Sequence, residues 1–278
     1  MFAGRNLLIA TKHGKERVIA PILEKSLGVI CKVPADFNTD TLGTFTGEIE
    51  RILDPLSAAR EKCLRAMEIE NCDLAIASEG SFGPHPSIFF VSCDDEILLF
   101  LDKKNNLEIV ARNLSTETNF YGSDINNQND LKNFAEKSSF PSHGLIARKS
   151  KDDNSAILKN INSWEKLNEV FIDYRDRFGS LYLETDMRAM ANPSRMSVIE
   201  QTALKLVEKI NSTCPNCNTP GFSVTDSKTG LPCEMCYQPT RSTLYYIHSC
   251  KKCTHTFEEK YPNDKQMEDP MYCDFCNP

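Results

Sequence analysis

The sequence predicts an α/β protein: a mixed-sheet N-terminal domain at residues 1–150, a helical linker segment at 151–212 and a small cysteine module at 213–278. Three observations carry that expectation. Short apolar runs alternate with helical periodicity through the first half of the chain. Two long helical periodicities follow. Eight of the twelve cysteines then fall after residue 213 as four C-x-x-C pairs.

Residues 6–10 form a short apolar strand, and Thr11-Lys12-His13-Gly14-Lys15 is the turn into a helix. That helix, over 16–27, carries Val18, Ile19, Ile22, Leu23 and Leu27 at helical spacing. Gly28 is its stop, and a second strand covers 29–33. The stretch 36–53 is polar and threonine-rich, with Asp40, Gly43, Gly47, Glu48 and Glu50. A loop of that length is usually functional or disordered. Asp54 as N-cap and Pro55 at the first helical position open the next helix. Its Ala58, Ala59, Lys62, Cys63 and Ala66 make a small-residue face suited to close packing on a sheet.

Residues 73–86 are the stretch around which the chemistry is expected. A strand over 74–77 ends on the carboxylate Glu79, a loop with two glycines and two prolines follows, and a very apolar strand begins at Ser87. Backbone that can approach a ligand closely, after a strand-end carboxylate, is a common way to build an α/β site. Strands over 87–93, 96–101 and 107–112, separated by Asp94-Asp95 and by residues 103–106, complete an antiparallel meander. A helix over 127–137 and a last strand over 144–148 close the domain. Beyond a polar link come helices over 163–178 and 193–210, the second capped by Asn192 and Pro193. Asp186, Arg188 and Arg195 lie close before or inside its start, where arginines could grip a phosphate or the acidic loop.

A net charge of −7 argues against broad, non-specific nucleic-acid binding but allows a small anion held by placed cations. No apolar run reaches the ~20 residues of a membrane span, and Leu7–Ala10 is too short for a signal peptide, so no membrane contact is expected and the default address is the cytoplasm. Cys31, Cys63, Cys72 and Cys93 are expected as buried small hydrophobes.

The pairs are Cys214/Cys217, Cys233/Cys236, Cys250/Cys253 and Cys273/Cys276. Taken consecutively, they enclose fifteen and nineteen residues, both within the range of four-cysteine zinc sites. This reading gives a tandem zinc-ribbon module with two structural zinc ions. A cross-braced pairing, first with third and second with fourth, would use the same residues. All-thiolate ligation leaves no open position for catalysis. Iron–sulfur ligation is less favoured by the paired spacing. His248 and His255 are expected as ordinary hairpin residues. Ribbons of this kind serve as folding nuclei or as contacts to protein or nucleic acid.

Thr11 to Lys15, between a strand and a helix, resembles the T-x-N-x-x-K-type opening of the house-cleaning nucleoside triphosphate pyrophosphatases, which have the inosine triphosphatase-like and Maf-like fold. Asp54-Pro55 with its small-residue helix resembles the acidic helix start of that family. Ser78-Glu79-Gly80-Ser81-Phe82-Gly83-Pro84 resembles its strand-end acidic motif, and Ser142-His143 its base-recognising pair. The likeness covers residues 1–150. His13 stands where the family has asparagine. The resemblance implies that Thr11, Lys12, His13 and Lys15 hold a triphosphate. It also implies that Glu79 and Asp54, with Glu48 or Glu50, bind Mg²⁺ or Mn²⁺ or position a water, and that Ser142 and His143 face the base. The whole chain also resembles a bacterial family of unassigned function that joins this N-terminal pattern to C-terminal cysteine pairs.

The resulting expectation is a metal-dependent hydrolase of a nucleoside triphosphate or related phosphoanhydride. The alternative is a non-catalytic binding protein that recognises nucleotide, nucleic acid or protein, the last two through its ribbons.

Overall fold

A computed structural model describes residues 1–11, 13–35, 37 and 53–278. Lys12, Glu48 and Glu50 lie outside the described residues. Residues 1–207 form one compact unit and residues 208–278 a second.

Leu7 to Ala10, almost wholly buried, make β1 (Asn6–Ala10) the parallel centre of the first sheet. Helix α1 (Glu16–Leu27) returns the chain to β2 (Ile30–Lys32), parallel to β1. Helix α2 (Pro55–Ile69) leads to β3 (Leu74–Pro84), parallel to β1 on its other side. β4 (Ser92–Asp102) and β5 (Leu107–Ser115) continue antiparallel, giving the order β2-β1-β3-β4-β5. The lengths are unequal in a way that matters. β1 pairs with β3 from Leu8↔Ala75 to Ala10↔Ala77, whereas β3 and β4 stay paired to Pro84↔Ser92. The stretch Ser78–Pro84 therefore runs on past the last pair with β1.

Three expectations are corrected here. The strand expected to end on Glu79 continues through Gly80 and Gly83, because β4 supplies a ladder partner at each position. Asp94-Asp95 is not a turn but lies inside β4. The apolar run from Ser87 to Val91 is not a strand: it is the hairpin tip, with the His85 Nδ1 accepting from the Ser87 and Ile88 N–H groups at 3.2 Å and with Phe89 and Phe90 exposed.

Alternation along the strands sorts the two faces of this sheet. Ala75 and Ala77 of β3 and Leu99 of β4 pack on Ala59, Cys63, Ala66 and Met67 of α2, as its small side chains predict. The opposite face presents Ser78, Gly80 and Phe82 beside Asp94, Glu96 and Leu98.

A second sheet comprises β6 (Gly122–Asp124), β7 (Leu145–Arg148), β8 (Ile157–Ile161) and β9 (Tyr182–Thr185), antiparallel in the order β6-β9-β7-β8. α3 (Gln128–Lys137) and α4 (Trp164–Phe178) cover it, burying Phe134, Leu145, Ala147, Leu167, Val170 and Leu183 together. The segment read as purely helical thus contributes two strands to this sheet. Burial does not alternate along β8 or β9, so neither displays a period of two. α5 (Pro193–Asn211) follows.

In the second unit, β10 (Ser223–Thr229), β11 (Thr243–Ser249) and β12 (Thr256–Lys260) form an antiparallel sheet in sequence order, with a C-x-x-C turn before each strand and another after the last.

Candidate active site and cysteine centres

Buried charge collects where β3 outruns β1. Lys15, which begins α1, is 5% exposed and its Nζ donates to the Ser78 hydroxyl at 2.7 Å. Ser78 and Glu79 are neighbours, so their side chains leave opposite faces of β3. Lys62 accordingly reaches Glu79 from α2, on the other side, in a largely buried ion pair. Burial, then the positive charge of Arg195, lowers the Lys15 amine to about 8, against the pull of Glu96 and Glu79.

Glu96 is opposite Gly80 and accepts from the Nε of Arg195 at 2.6 Å, with both side chains fully buried. Arg195 also donates to the Met187 carbonyl and lies 5.1 Å from the Phe82 ring centre. Asp94, two residues before Glu96 and on the same face, is fully buried too. Neither Asp94 oxygen, nor Glu96 Oε2, has a hydrogen-bond partner among the described residues. Burial, reinforced by Glu96, pushes the Asp94 carboxyl up to about 8, with Arg195 and Lys15 pulling the other way.

Phe82 joins this cluster to a cleft of about 310 Å³ that reaches the second sheet. Phe82 and Phe120 stack on its apolar side with ring centres 5.6 Å apart. Its polar side holds Arg148, whose Nε donates to Glu184 at 2.9 Å, and Arg188, which forks onto Asp186. Burial raises the Glu184 carboxyl above its usual range despite Arg148.

The residues singled out from the sequence separate into groups. Lys15 and Arg195 meet in the cluster, whereas Glu79 leaves the other face of β3 toward Lys62, near enough for its charge to act on Lys15. Thr11 is buried at the end of β1, with its N–H on the Ile9 carbonyl, and His13 is half-buried in the following turn. Asp54 caps α2: its Oδ1 accepts from the Leu56 and Ser57 N–H groups at 3.0 Å. Bonding to Ser57 holds its carboxyl below the usual range. It precedes Lys62 on that helix by about 12 Å of axis, and its described contacts are with its own helix. His143 is buried against the start of α5, its Nε2 2.9 Å from the Ser194 hydroxyl and accepting the Ser194 N–H, while Nδ1 faces the Ser142 hydroxyl at 3.0 Å. These contacts brace the turn that carries Arg195. Asn192 caps α5 by accepting the Arg195 N–H at 3.0 Å.

Sequence reasoning missed Asp94 and Glu96, and gave Lys62 only a packing role. An acid at every second position, running into Ile97-Leu98-Leu99-Phe100, was the available signal. The Asp-Asp pair masked it by reading as a turn.

The cysteines form two four-cysteine centres, Cys214, Cys217, Cys250 and Cys253, and Cys233, Cys236, Cys273 and Cys276, the sulfurs of each lying within 4.8 Å of one another. The consecutive pairing is therefore corrected to the cross-braced one. Only one strand separates consecutive pairs, so each seven-residue strand carries the chain to the far end of the sheet, roughly 23 Å away at ~3.3 Å per residue. A second strand is needed to return. Contacts across the turns are 3.6 Å for Cys214–Cys253 and Cys217–Cys250, and 3.8 and 3.6 Å for Cys233–Cys276 and Cys236–Cys273. Thiolates 2.3 Å from a tetrahedral zinc would lie about 3.8 Å apart, so both centres fit zinc. His248 pairs with Glu259 and stacks near Phe222, as does His255. Neither belongs to a centre.

Fold and centres together define a mixed α/β protein with two C-terminal four-cysteine centres and a buried acid–base cluster. The chain belongs to the family described as Domain of unknown function (DUF6671), matched over residues 62–278. The match includes Lys62, Glu79, Asp94, Glu96, Arg195 and all eight module cysteines, and leaves Lys15 outside. No curated protein matches the chain. No helix among the described residues is long and apolar enough to cross a membrane.

Proposed function

We propose that the N-terminal unit hydrolyses a nucleoside triphosphate or a related phosphoanhydride with a divalent cation, Mg²⁺ or Mn²⁺. The observation that carries this reading is the set of buried carboxylate oxygens of Asp94 and Glu96 without hydrogen-bond partners among the described residues, next to Lys15 and Arg195. Buried polar groups in folded proteins are almost always satisfied. Hard oxygen donors of this kind suit a hard divalent cation. Asp94 and Glu96 would hold the cation, which when bound supplies charge neutralisation for the phosphates.

The chain's own residues supply the rest. Lys15, at the start of α1, offers an ammonium beside the helix N-terminus, an arrangement that favours phosphate. Arg195 holds Glu96 in position through its Nε bond. Glu79, fixed by Lys62 on the other face of β3 but past the last pair with β1 and near enough to act on the Lys15 charge, is the carboxylate assigned to position a water for attack on phosphorus. The water oxygen bonds to phosphorus as its proton passes to Glu79, the anhydride P–O bond breaks, and the phosphate or pyrophosphate group leaves with the bonding pair. Phe82 and Phe120 give a planar base an apolar wall. The inosine triphosphatase-like resemblance of residues 1–150 supports the same reading.

The test is release of phosphate or pyrophosphate from a panel of standard and deaminated nucleoside triphosphates with Mg²⁺ or Mn²⁺. Turnover that disappears in Asp94→Asn and Glu79→Gln, with the fold retained, is expected. No turnover of any member by the wild-type chain overturns the reading.

A further inference from the structure

The two cysteine centres provide a comparison within one chain. Both interlock two C-x-x-C turns, and the residue after the second cysteine is left-handed at Asn218, Tyr237 and Thr254, with φ of 55°, 62° and 57°. What they expose differs. At the first centre the position before the second cysteine is Asn216 in one turn and Lys252 in the other. At the second centre it is Met235 and Phe275, 69% and 66% exposed. Asparagine is the side chain best tolerated at a left-handed position, and the first turn has it in Asn218. The second centre places Tyr237 there, and it too is exposed. Met271 and Tyr272, just ahead of Cys273, add two more exposed apolar side chains. The first centre demonstrates that polar residues build the same turn, so neither metal ligation nor folding of the turn requires the apolar ones. Grouped exposed apolar side chains of this kind mark interaction surfaces.

The charge around this tip is net negative, with Glu234, Glu268, Asp269 and Asp274 against Arg241 and Lys265. Glu234, Asp269 and Asp274 are exposed on its turns. The cations of the same segments are already engaged, Arg241 with Asp274 at 2.9 Å and Lys265 with Glu268. Four thiolates around a divalent ion add further negative charge. The first centre carries Lys251 and Lys252 instead. We propose that the tip of the second cysteine centre docks a protein partner through a segment that presents apolar side chains flanked by lysine or arginine. Phosphate backbones would meet repulsion at this surface. A second copy of the chain would set Glu234 and Asp269 against their own like charges, which is costly at an interface.

The experiment selects a displayed library of random linear peptides on the zinc-loaded full chain and sequences the binders. The same selection is run on the double variant Met235→Asn/Phe275→Lys, which borrows the residues of the first centre, and on Glu234→Lys. Metal content of two zinc per chain certifies that each variant is folded. Enrichment of apolar peptides rich in lysine and arginine is expected on the wild type, with at least a tenfold loss on the double variant and a weakened basic preference on Glu234→Lys. Equal enrichment on wild type and double variant overturns the proposal, as does enrichment of acidic peptides. It is equally overturned if the tip proves to bind single-stranded RNA, or if sedimentation reveals self-association that the double variant abolishes.

Discussion

Glu96 and Arg195, ninety-nine positions apart in sequence, meet as a 2.6 Å ion pair with no exposed side-chain surface on either partner. The pair lies directly over Gly80. A Cβ at residue 80 would come within 2.6 Å of the Arg195 Nη2 and 2.7 Å of the Glu96 Cδ, and closer still to Glu96 Oε1. The glycine is there for space, because its backbone is ordinary strand.

Gly80→Ala should therefore destabilise the N-terminal unit by ~1–3 kcal/mol through overpacking, approaching the ~3–5 kcal/mol of a broken buried pair if Arg195 is displaced. Chemical denaturation of the variant measures it, and Gly83→Ala is the control, since nothing lies within 4 Å of a Cβ there. Equal stabilities for the two variants would contradict the crowding account.

Asp94 should make the metal-free protein less stable as pH rises. Its folded carboxyl titrates at about 8, above the ordinary aspartate value. Between about pH 4 and 8 the unfolded chain has given up this proton while the folded chain keeps it. Stability linked to Asp94 is thus full below the unfolded pKa and is lost as pH climbs through the folded one. Lys15, lowered to about 8, acts in a separate window: above pH 8 the unfolded chain holds its proton longer, so stability recovers. The difference in unfolding free energy between wild type and Asp94→Asn, followed from pH 4 to about 9, should slope downward. Added Mn²⁺ should stabilise the wild type more at high pH than at low pH, and Asp94→Asn little at either.

His143 acts in the opposite sense. Burial lowers its pKa, against a bond to Ser139, and its Nε2 accepts the Ser194 N–H as a neutral ring. Its stabilisation is present above the unfolded value of about 6.5 and is lost as pH falls through the folded one. His143→Leu should remove that acid sensitivity and cost about 1–3 kcal/mol at neutral pH by leaving the Ser194 N–H without its acceptor. Thermal melts at pH 7 and at an acidic pH check both statements.

The legible parts of this molecule are those written by local rules. The βαβ start with its Gly28 stop, the Asp54 and Asn192 caps and the small-residue face of α2 each depend on a few adjacent residues. The candidate site depends on register. Asp94 and Glu96 are placed by eleven consecutive pairs between β3 and β4, and Arg195 arrives from a helix a hundred residues away. Nothing local in Asp94-Asp95 distinguishes a turn from a strand whose alternate positions face a buried arginine. The Ser87–Val91 run misled for the complementary reason: its phenylalanines are apolar but exposed.

The cysteine pairing supplies the sharpest prediction, because two variants of equal size must behave oppositely. Cys214 and Cys250 share one centre, so Cys214→Ser/Cys250→Ser should lose one zinc and retain the other. Cys214 and Cys233 belong to different centres, so Cys214→Ser/Cys233→Ser damages both and should retain none at full occupancy. Consecutive pairing would reverse the two results. Wild-type protein purified without chelator should carry two zinc per chain by elemental analysis. Stripping them should unfold residues 208–278, because ligand geometry of this kind is assembled only in the folded state. The first unit draws its core from its own two sheets, so its unfolding transition should persist after the metal is removed.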